Sequence, residues 1–332
     1  MQPATLPKIS IITPSFNQGP FLEETILSVL QQGYPNLEYI IIDGGSTDES
    51  VGIIKRYQDR LHYWVSEKDS GQSEALNKGL RRATGDIIGW LCSDDLYLPG
   101  TFEKVVRIFE QHPAAGMLHG RSILFGKGKK ELIKGAEPKD LELRYFSVIP
   151  FPQPSSFFTR TAINHTGLLD ESLHFAMDYD LLIRVAGQFE LLRTEEVLSK
   201  YRLHSSSKTV SQLPKFAVEW ARVFSRFINS TEIPAATLNL LSSHGFYYPE
   251  EPYIEIRRTF SLEEIDRIVA HFLFNQLIIY YEVLDTKMVK RILKLIQTLN
   301  PSFYQEMDLT RISLRTKLLP PVLLQLFRAI AR

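Results

Sequence analysis

Two adjacent carboxylates, Asp94 and Asp95, come just after the apolar run Ile87-Ile88-Gly89-Trp90-Leu91, across Cys92-Ser93. An acidic pair at the carboxyl end of a buried strand can hold a hard divalent cation. Mg²⁺ and Mn²⁺ take oxygen ligands and are commonly shared with phosphates. The competing reading is a turn cap, because Pro99 follows closely. Other strand ends add weight to the first reading. Thr13-Pro14-Ser15-Phe16-Asn17 closes one apolar run, Asp43-Gly44-Gly45 a second, and Glu67-Lys68-Asp69-Ser70-Gly71 a third. A carboxylate such as Asp43 can accept from ribose hydroxyls or a base N–H, and glycines such as Gly44 let a ligand approach the backbone. Phe16 could border a base or fill a core, and the DGGS segment is also plain turn chemistry.

Further along, Asp178 and Asp180 open an apolar helical pattern in Phe175-Ala-Met-Asp-Tyr-Asp-Leu181. At i, i+2 they point in different directions. Asp178 suits either a general base or a helix N-cap, and Asp180 reads as structural. His204 ends Tyr201-Arg-Leu-His204, and Lys208 could meet phosphate oxygens or simply be solvated. Neither G-x-x-x-x-G-K-[ST] nor G-x-G-x-x-G occurs, which removes P-loop and dinucleotide readings. Absence of C-x-x-C and H-E-x-x-H removes structural zinc and zincin chemistry.

The elements that must position these groups alternate. Ile9–Thr13, Glu38–Ile42, Leu61–Val65 and Asp86–Leu91 read as strands. Helices are expected at Glu23–Gln32, from Asp48 to Tyr57, at Ser73–Arg82 and at Thr101–Gln111. This rhythm predicts an α/β fold with a mainly parallel sheet flanked by helices, which binds ligands at the carboxyl ends of its strands. Strands and turns alternate over 116–137, Pro150–Phe158 leads from loop to strand, Met177–Ala186 is helical and Val197–Arg202 is a strand. Beyond Ser211 the pattern is helical, with Ser261-Leu-Glu-Glu264 as a capping box.

The succession ISIITPSFNQGPFLEETILSVLQQGYPNLEYIIIDGGSTDES, SEKDSGQSEALNKG and ATGDIIGWLCSDD resembles the family 2 glycosyltransferases of GT-A fold, over about residues 1–210. The resemblance implies inverting transfer of a sugar from a nucleoside-diphosphate donor, commonly UDP-linked, to an acceptor hydroxyl. It implies that Thr13, Pro14, Phe16, Asn17, Asp43, Gly44, Asp69 and Asp94 line the nucleotide. Asp95, Asp94 and His204 would hold Mn²⁺ or Mg²⁺, and Asp178 would be the base. Two positions depart from the family pattern: Cys92 stands where an acid or asparagine is usual, and Met177 where glutamate is usual. Enzymes of this kind build bacterial polysaccharide, lipopolysaccharide or glycoprotein glycans on glycan or lipid-linked acceptors. A sugar-nucleotide pyrophosphorylase is the alternative, but TPSFNQGPF lacks the basic residues of its phosphate loop. A nucleotide-sugar binding protein without turnover is the other alternative.

The expected layout is a glycosyltransferase domain over 1–210, its nucleotide half near 1–115 and acceptor half near 116–210, then a helical region over 211–332. Composition fits a globular chain: 332 residues, 44% hydrophobic, 23% charged. Zero formal net charge gives no sign of a nucleic-acid partner. One cysteine excludes an intrachain disulfide and points to the reducing cytoplasm. The polar start MQPATLPKIS is not expected to be a signal peptide, and no apolar run reaches membrane-spanning length. The tail from Lys287 is rich in lysine and arginine beside Leu318-Leu319 and Val322-Leu323-Leu324. Two readings stay open for it: a helix packed on the core, or peripheral contact with the inner membrane face.

Overall fold

In the computed structural model, residues 6–205, 207–208 and 212–318 are described. The chain divides into two compact units, 1–138 with 149–207, and 139–148 with 208–332.

The first unit is built on one mixed sheet. Its strands are β1 (Ile9–Ser15), β2 (Leu37–Asp43), β3 (Tyr63–Ser66), β4 (Ile87–Trp90), β5 (Leu96–Tyr97), β6 (Ala115–Phe125), β7 (Leu132–Lys134), β8 (Ser156–Thr159) and β9 (Glu190–Arg202). Their order across the sheet is β3-β2-β1-β4-β8-β6-β9-β5, with β7 paired to β6. The first four strands are parallel, as the strand–helix alternation predicts. From β8 onward antiparallel pairs enter, with β6 and β9 parallel to each other.

Alternation along β1 sorts its two faces. Ile9 and Ile11 join a core with Leu22, Ile26, Val29, Tyr39, Ile41, Ile53, Ile54, Phe102 and Val105. Burying each such side chain stabilises by about 1.5–3 kcal/mol. The helix Gly19–Leu30 begins four residues before its expected start, because Asp48 Oδ2 accepts from the Gly19 N–H at 2.9 Å. The same carboxylate accepts from Ser50 N–H at 3.0 Å, where the helix Ser50–Tyr57 starts. One aspartate thus satisfies donors at two helix beginnings. The strand expected at Leu61–Val65 begins at Tyr63, since residues Gln58–Arg60 form a 3-10 turn. Thr159 accepts from the Ala162 N–H and caps the helix Arg160–Thr166, which carries no strong sequence pattern.

At the amino end of the sheet, buried Glu38 is a hub. Its carboxylate accepts from Ser10 Oγ at 2.5 Å, from Thr84 N–H at 2.7 Å and from Thr84 Oγ1 at 2.7 Å. It ties β2 to β1 and to the turn before β4.

The second unit is helical among its described residues. It contains Leu141–Arg144, Leu213–Asn229, Ala235–Ser243, Leu262–Glu282, Thr286–Leu299, Pro301–Glu306 and Leu309–Leu318. The capping box forms as expected: Ser261 accepts from Glu264 N–H at 3.2 Å, and Glu264 accepts from Ser261 N–H at 2.9 Å. Phe224 stacks on Phe272 at 3.9 Å between centroids. The helix Thr286–Leu299 buries Val289, Ile292, Leu293, Leu295 and Ile296 and exposes Lys287, Lys290, Arg291 and Lys294. Its apolar face therefore packs inside this unit. The later tail residues, Leu319 through Arg332, lie outside the described residues. No helix among the described residues is long and apolar enough to cross a membrane.

The Glu38 hub is testable. Burial raises its pKa, but the hydrogen bonds from Ser10 and Thr84 outweigh burial and hold it below its ordinary 4.5. A depressed acid stabilises the fold above its unfolded pKa, and that contribution fades as pH falls through the folded value. Glu38→Ala should therefore cost about 2–3 kcal/mol at neutral pH, with the deficit shrinking below about pH 4.5. Urea melts of both proteins at pH 7 and pH 4 measure this; a deficit that is constant with pH would contradict it.

Candidate active site

The polar groups converge at the carboxyl ends of β1, β2 and β4, joined by the end of β9. After β4 the chain turns, with Asp95 N–H donating to the Cys92 carbonyl at 3.0 Å. Thr25 Oγ1 donates to the Asp95 carbonyl at 2.9 Å. The Asp95 side chain is only 2% exposed. Its Oδ1 accepts from the Arg202 backbone N–H at 2.8 Å. Arg202 Nε donates to the Asp94 carbonyl at 2.8 Å. The Arg202 guanidinium pairs with Glu24 and lies over the rings of Phe21 (4.9 Å) and Phe125 (4.5 Å). His204 Nε2 sits 2.9 Å from Asp94 Oδ2, and its ring packs on Phe21 at 4.7 Å between centroids.

Cys92 completes the cluster. Its Sγ accepts from Gln72 Nε2 at 3.3 Å and lies 3.8 Å from Gln153 Oε1. Ligand-capable atoms of Cys92, Asp94 and Asp95 all lie within 4.8 Å of one another. Burial, then the neighbouring Asp94 charge, push the Asp95 carboxyl well above its usual range, with Arg202 opposing. Two carboxylates forced together at low dielectric, with an imidazole nitrogen beside them, form a donor set that suits a divalent cation. The residues present therefore fit a metal ion of this type. The cysteine adds a softer atom to a set otherwise made of oxygen and nitrogen.

The nucleotide-side residues separate into two groups. Thr13, Pro14 and Asp43 are buried, whereas Phe16 is 58% exposed and Asn17 is also exposed. Thr13 Oγ1 meets the Tyr39 hydroxyl at 3.1 Å inside the unit. Asp43 organises the loop after β2. Its oxygens accept from Gly45 N–H (3.2 Å), Ser46 N–H (2.9 Å), Ser46 Oγ (2.6 Å) and Ser66 Oγ (2.7 Å). Those four bonds use the acceptor capacity of a carboxylate. Asn17, at φ 51°, braces the same loop: its N–H donates to Ser46 Oγ at 2.8 Å, and its Oδ1 accepts from Thr47 N–H at 2.9 Å. Gly44 is needed for close approach, because a Cβ there would stand 2.7 Å from Asp69 Oδ2. Asp69 accepts from Gly71 N–H at 3.0 Å, and burial raises its carboxyl.

The segment that leads into Asp178 is anchored on the helix Gln72–Arg82. Ser73 Oγ donates to the Leu173 carbonyl at 2.5 Å, and Asn77 bonds both Leu169 N–H and its carbonyl at 2.9 Å. Gly71 packs against His174, whose Nδ1 would be 3.1 Å from a Cβ. The helix that carries Gln72 beside Cys92 thus also anchors the segment leading into Met177–Ala186. Asp178 is half-buried, and its Oδ1 accepts from the Tyr179 N–H at 2.9 Å. Asp180 is buried and binds Arg184 Nε at 2.9 Å, in keeping with a structural part. Met177 is buried in the core.

Sequence reasoning missed Arg202, Gln72, Gln153 and Phe21 as members of this cluster. Arg202 stood inside the quoted Tyr201–His204 segment, but no local pattern says that its backbone N–H meets a carboxylate over 100 residues away.

Residues 10–167 match the glycosyl transferase family 2. An uncharacterized glycosyltransferase of Mycobacterium tuberculosis is 31% identical over 201 residues, 59% of this chain and 75% of that protein. One from Rickettsia typhi is 27% identical over 271 residues, 75% of this chain and 82% of that protein. Among solved structures, Staphylococcus aureus TarS 1–349 with UDP-GlcNAc superposes at a TM-score of 0.60 and 14% identity, covering 88% of this chain and 80% of that one. The mannosyltransferase PcManGT from Pyrobaculum calidifontis, solved with GDP-Man and Mn²⁺, gives 0.56 at 18% identity, covering 90% and 89%. The sheet order, the acidic turn after β4 and these matches agree: this chain belongs to the family 2 glycosyltransferases and has their GT-A fold.

Proposed function

We propose that this chain transfers a hexosyl group from a UDP-linked sugar to an acceptor hydroxyl, with inversion and with Mn²⁺ or Mg²⁺. The observation that carries the reading is the buried Asp95 beside Asp94 at the end of β4, with His204 against Asp94. A UDP donor draws support from the TarS complex with UDP-GlcNAc, and a metal from the PcManGT complex with Mn²⁺.

Asp95, Asp94 and His204 would hold the ion. When bound, it would neutralise the charge that develops on the departing diphosphate. Thr13, Pro14, Phe16, Asn17, Asp43, Gly44, Asp69 and Asp94 would line the nucleotide, Phe16 and Asn17 with exposed side chains, while Asp43 also keeps its loop in shape. Asp69, pressed on Gly44, lines the adjoining loop. Asp178 takes the acceptor hydroxyl proton as the hydroxyl oxygen attacks the anomeric carbon. A single base on the face opposite the leaving group gives inversion. The protein domains are proposed as a glycosyltransferase domain over 1–210 and a helical region over 211–332.

The proposed acceptor is a glycan or lipid-linked intermediate of bacterial polysaccharide, lipopolysaccharide or glycoprotein synthesis. The proposed place is the cytoplasm, with peripheral contact at the inner membrane face through the C-terminal helices, which expose Lys287, Lys290, Arg291 and Lys294. The two alternatives, a pyrophosphorylase and a binding protein without turnover, predict no sugar transfer to an acceptor.

Two substitutions test the assignments. Asp178→Asn should keep donor affinity and lower turnover by about 10²–10⁴-fold. Full turnover in that variant, or loss of turnover in Asp180→Asn with retained fold, would name the wrong carboxylate. Asp95→Asn keeps an acceptor for the Arg202 N–H and removes a charge that burial and Asp94 disfavour. It should raise the melting temperature of the metal-free protein by a few degrees, roughly what 1 kcal/mol gives. It should also abolish the stabilisation that Mn²⁺ plus UDP gives the parent protein. A lower metal-free melting temperature with the Mn²⁺ response intact would contradict the site.

A further inference from the structure

One surface feature is used by none of the chemistry above. β6 and β7 form a hairpin in which Ser122, Ile123 and Leu124 pair with Lys134, Ile133 and Leu132. The segment from Gly126 to Gly135 reads GKGKKELIKG. Lys127, Lys129, Lys130 and Lys134 are all exposed, and none makes an ion pair among the described residues. The one acid, Glu131, is occupied by Lys200 Nζ at 2.7 Å. The hairpin thus carries four free cations in a chain whose formal net charge is zero. Leu132 and Ile133, 51% and 54% exposed, stand beside them. Consecutive strand residues face opposite sides. Exposure of both means that β7, at the edge of the sheet, is uncovered on both of its faces.

Lysines alone would be explained as blunting a free strand edge. Two neighbouring exposed aliphatic side chains are not, since they add the apolar area that edge protection avoids. Cations flanking exposed aliphatics match a surface that is anionic outside and apolar just beneath. An aqueous polyanion offers nothing to cover Leu132 and Ile133.

The hairpin is rooted beside the candidate site. Its first strand lies against β9, and Leu203 N–H donates to the Phe125 carbonyl at 2.7 Å. The Phe125 ring supports both the Arg202 guanidinium, at 4.5 Å, and Lys200 Nζ, at 4.6 Å. Arg202 is the residue that holds Asp94 and Asp95.

We propose that the 126–135 hairpin docks the enzyme on an anionic lipid bilayer, with Leu132 and Ile133 entering the headgroup boundary and the four lysines facing lipid phosphates. Docking there sets the mouth of the site at the membrane surface. The inference concerns a different element from the C-terminal helices and does not depend on the donor or metal assignments.

The test uses the full chain and sedimentation with phosphatidylcholine vesicles, with and without phosphatidylglycerol. The parent protein should partition onto the phosphatidylglycerol vesicles, and raised salt should release it. One lysine at such a surface contributes about fivefold, so K127A/K129A/K130A/K134A should lower partitioning at least about tenfold even with the basic tail intact. L132S/I133S should weaken partitioning and leave the salt response in place. Thermal stabilisation by UDP and Mn²⁺ should be unchanged in both variants, which separates failure of docking from failure of the donor reading. Equal partitioning of parent and quadruple variant would overturn the proposal. So would equal binding to neutral and anionic vesicles. Binding of soluble polyphosphate through the same lysines without vesicle partitioning would reassign the hairpin to a polyanionic acceptor and also overturn it.

Discussion

Two aspartates adjacent in sequence, one of them buried, are both gripped at the end of a strand by one residue of β9. Arg202 gives its backbone N–H to the Asp95 carboxylate and its Nε to the Asp94 carbonyl. Without those donors the buried Asp95 oxygen would lose its partner, at a cost of about 1–3 kcal/mol or more for a charged group. The rest of the first unit is arranged to make this contact possible. β9 must run alongside β6 and reach β5, which immediately follows the acidic turn. Phe21 and Phe125 hold the guanidinium between them, and Glu24 neutralises its outer face. The charge clash that remains between Asp94 and Asp95 is a stored cost of the metal-free state. Functional sites commonly carry such a cost, because it is relieved when the ligand binds.

The loops around that turn show a second constraint. Their shapes are set by carboxylates that accept from nearby backbone amides. Asp43 gathers the donors of the loop after β2, and Asp48 serves the starts of two helices at once. Asp69 sits on Gly44, where a Cβ would stand 2.7 Å from its Oδ2 and displace that carboxylate. Acids are abundant at this end of the sheet, yet they differ in duty. Several of them hold backbone amides in place. Burial and hydrogen-bond partners decide which, and sequence position does not.

That distinction marks where the sequence was readable. The parallel half was legible because its strands are short runs rich in β-branched and aromatic residues ending in polar turns, and its helices carry apolar stripes. Met177–Ala186 and the Ser261 capping box follow from local signals alone. β5 was not legible, since two residues, Leu96 and Tyr97, give no periodicity. β9 was read as far shorter than its 13 residues, because Glu190–Glu196 is polar and exposed in part. The partnership of Arg202 with Asp95, or of Gln72 with Cys92, depends on long-range register and leaves no trace in local spacing. The family resemblance supplied roles for Asp43 and Asp95 alike. The structure separates them, giving Asp43 four donors from its surroundings and Asp95 one from Arg202.

The central claim is that Asp94 and Asp95 bind a divalent ion together with the donor diphosphate. The most direct measurement is an anomalous difference map from crystals grown with Mn²⁺ and UDP. The account predicts one strong peak within about 2.0–2.4 Å of an Asp95 carboxylate oxygen, in contact with the diphosphate. Bound UDP with no peak at Asp94 or Asp95, or a peak held by other residues, would contradict it.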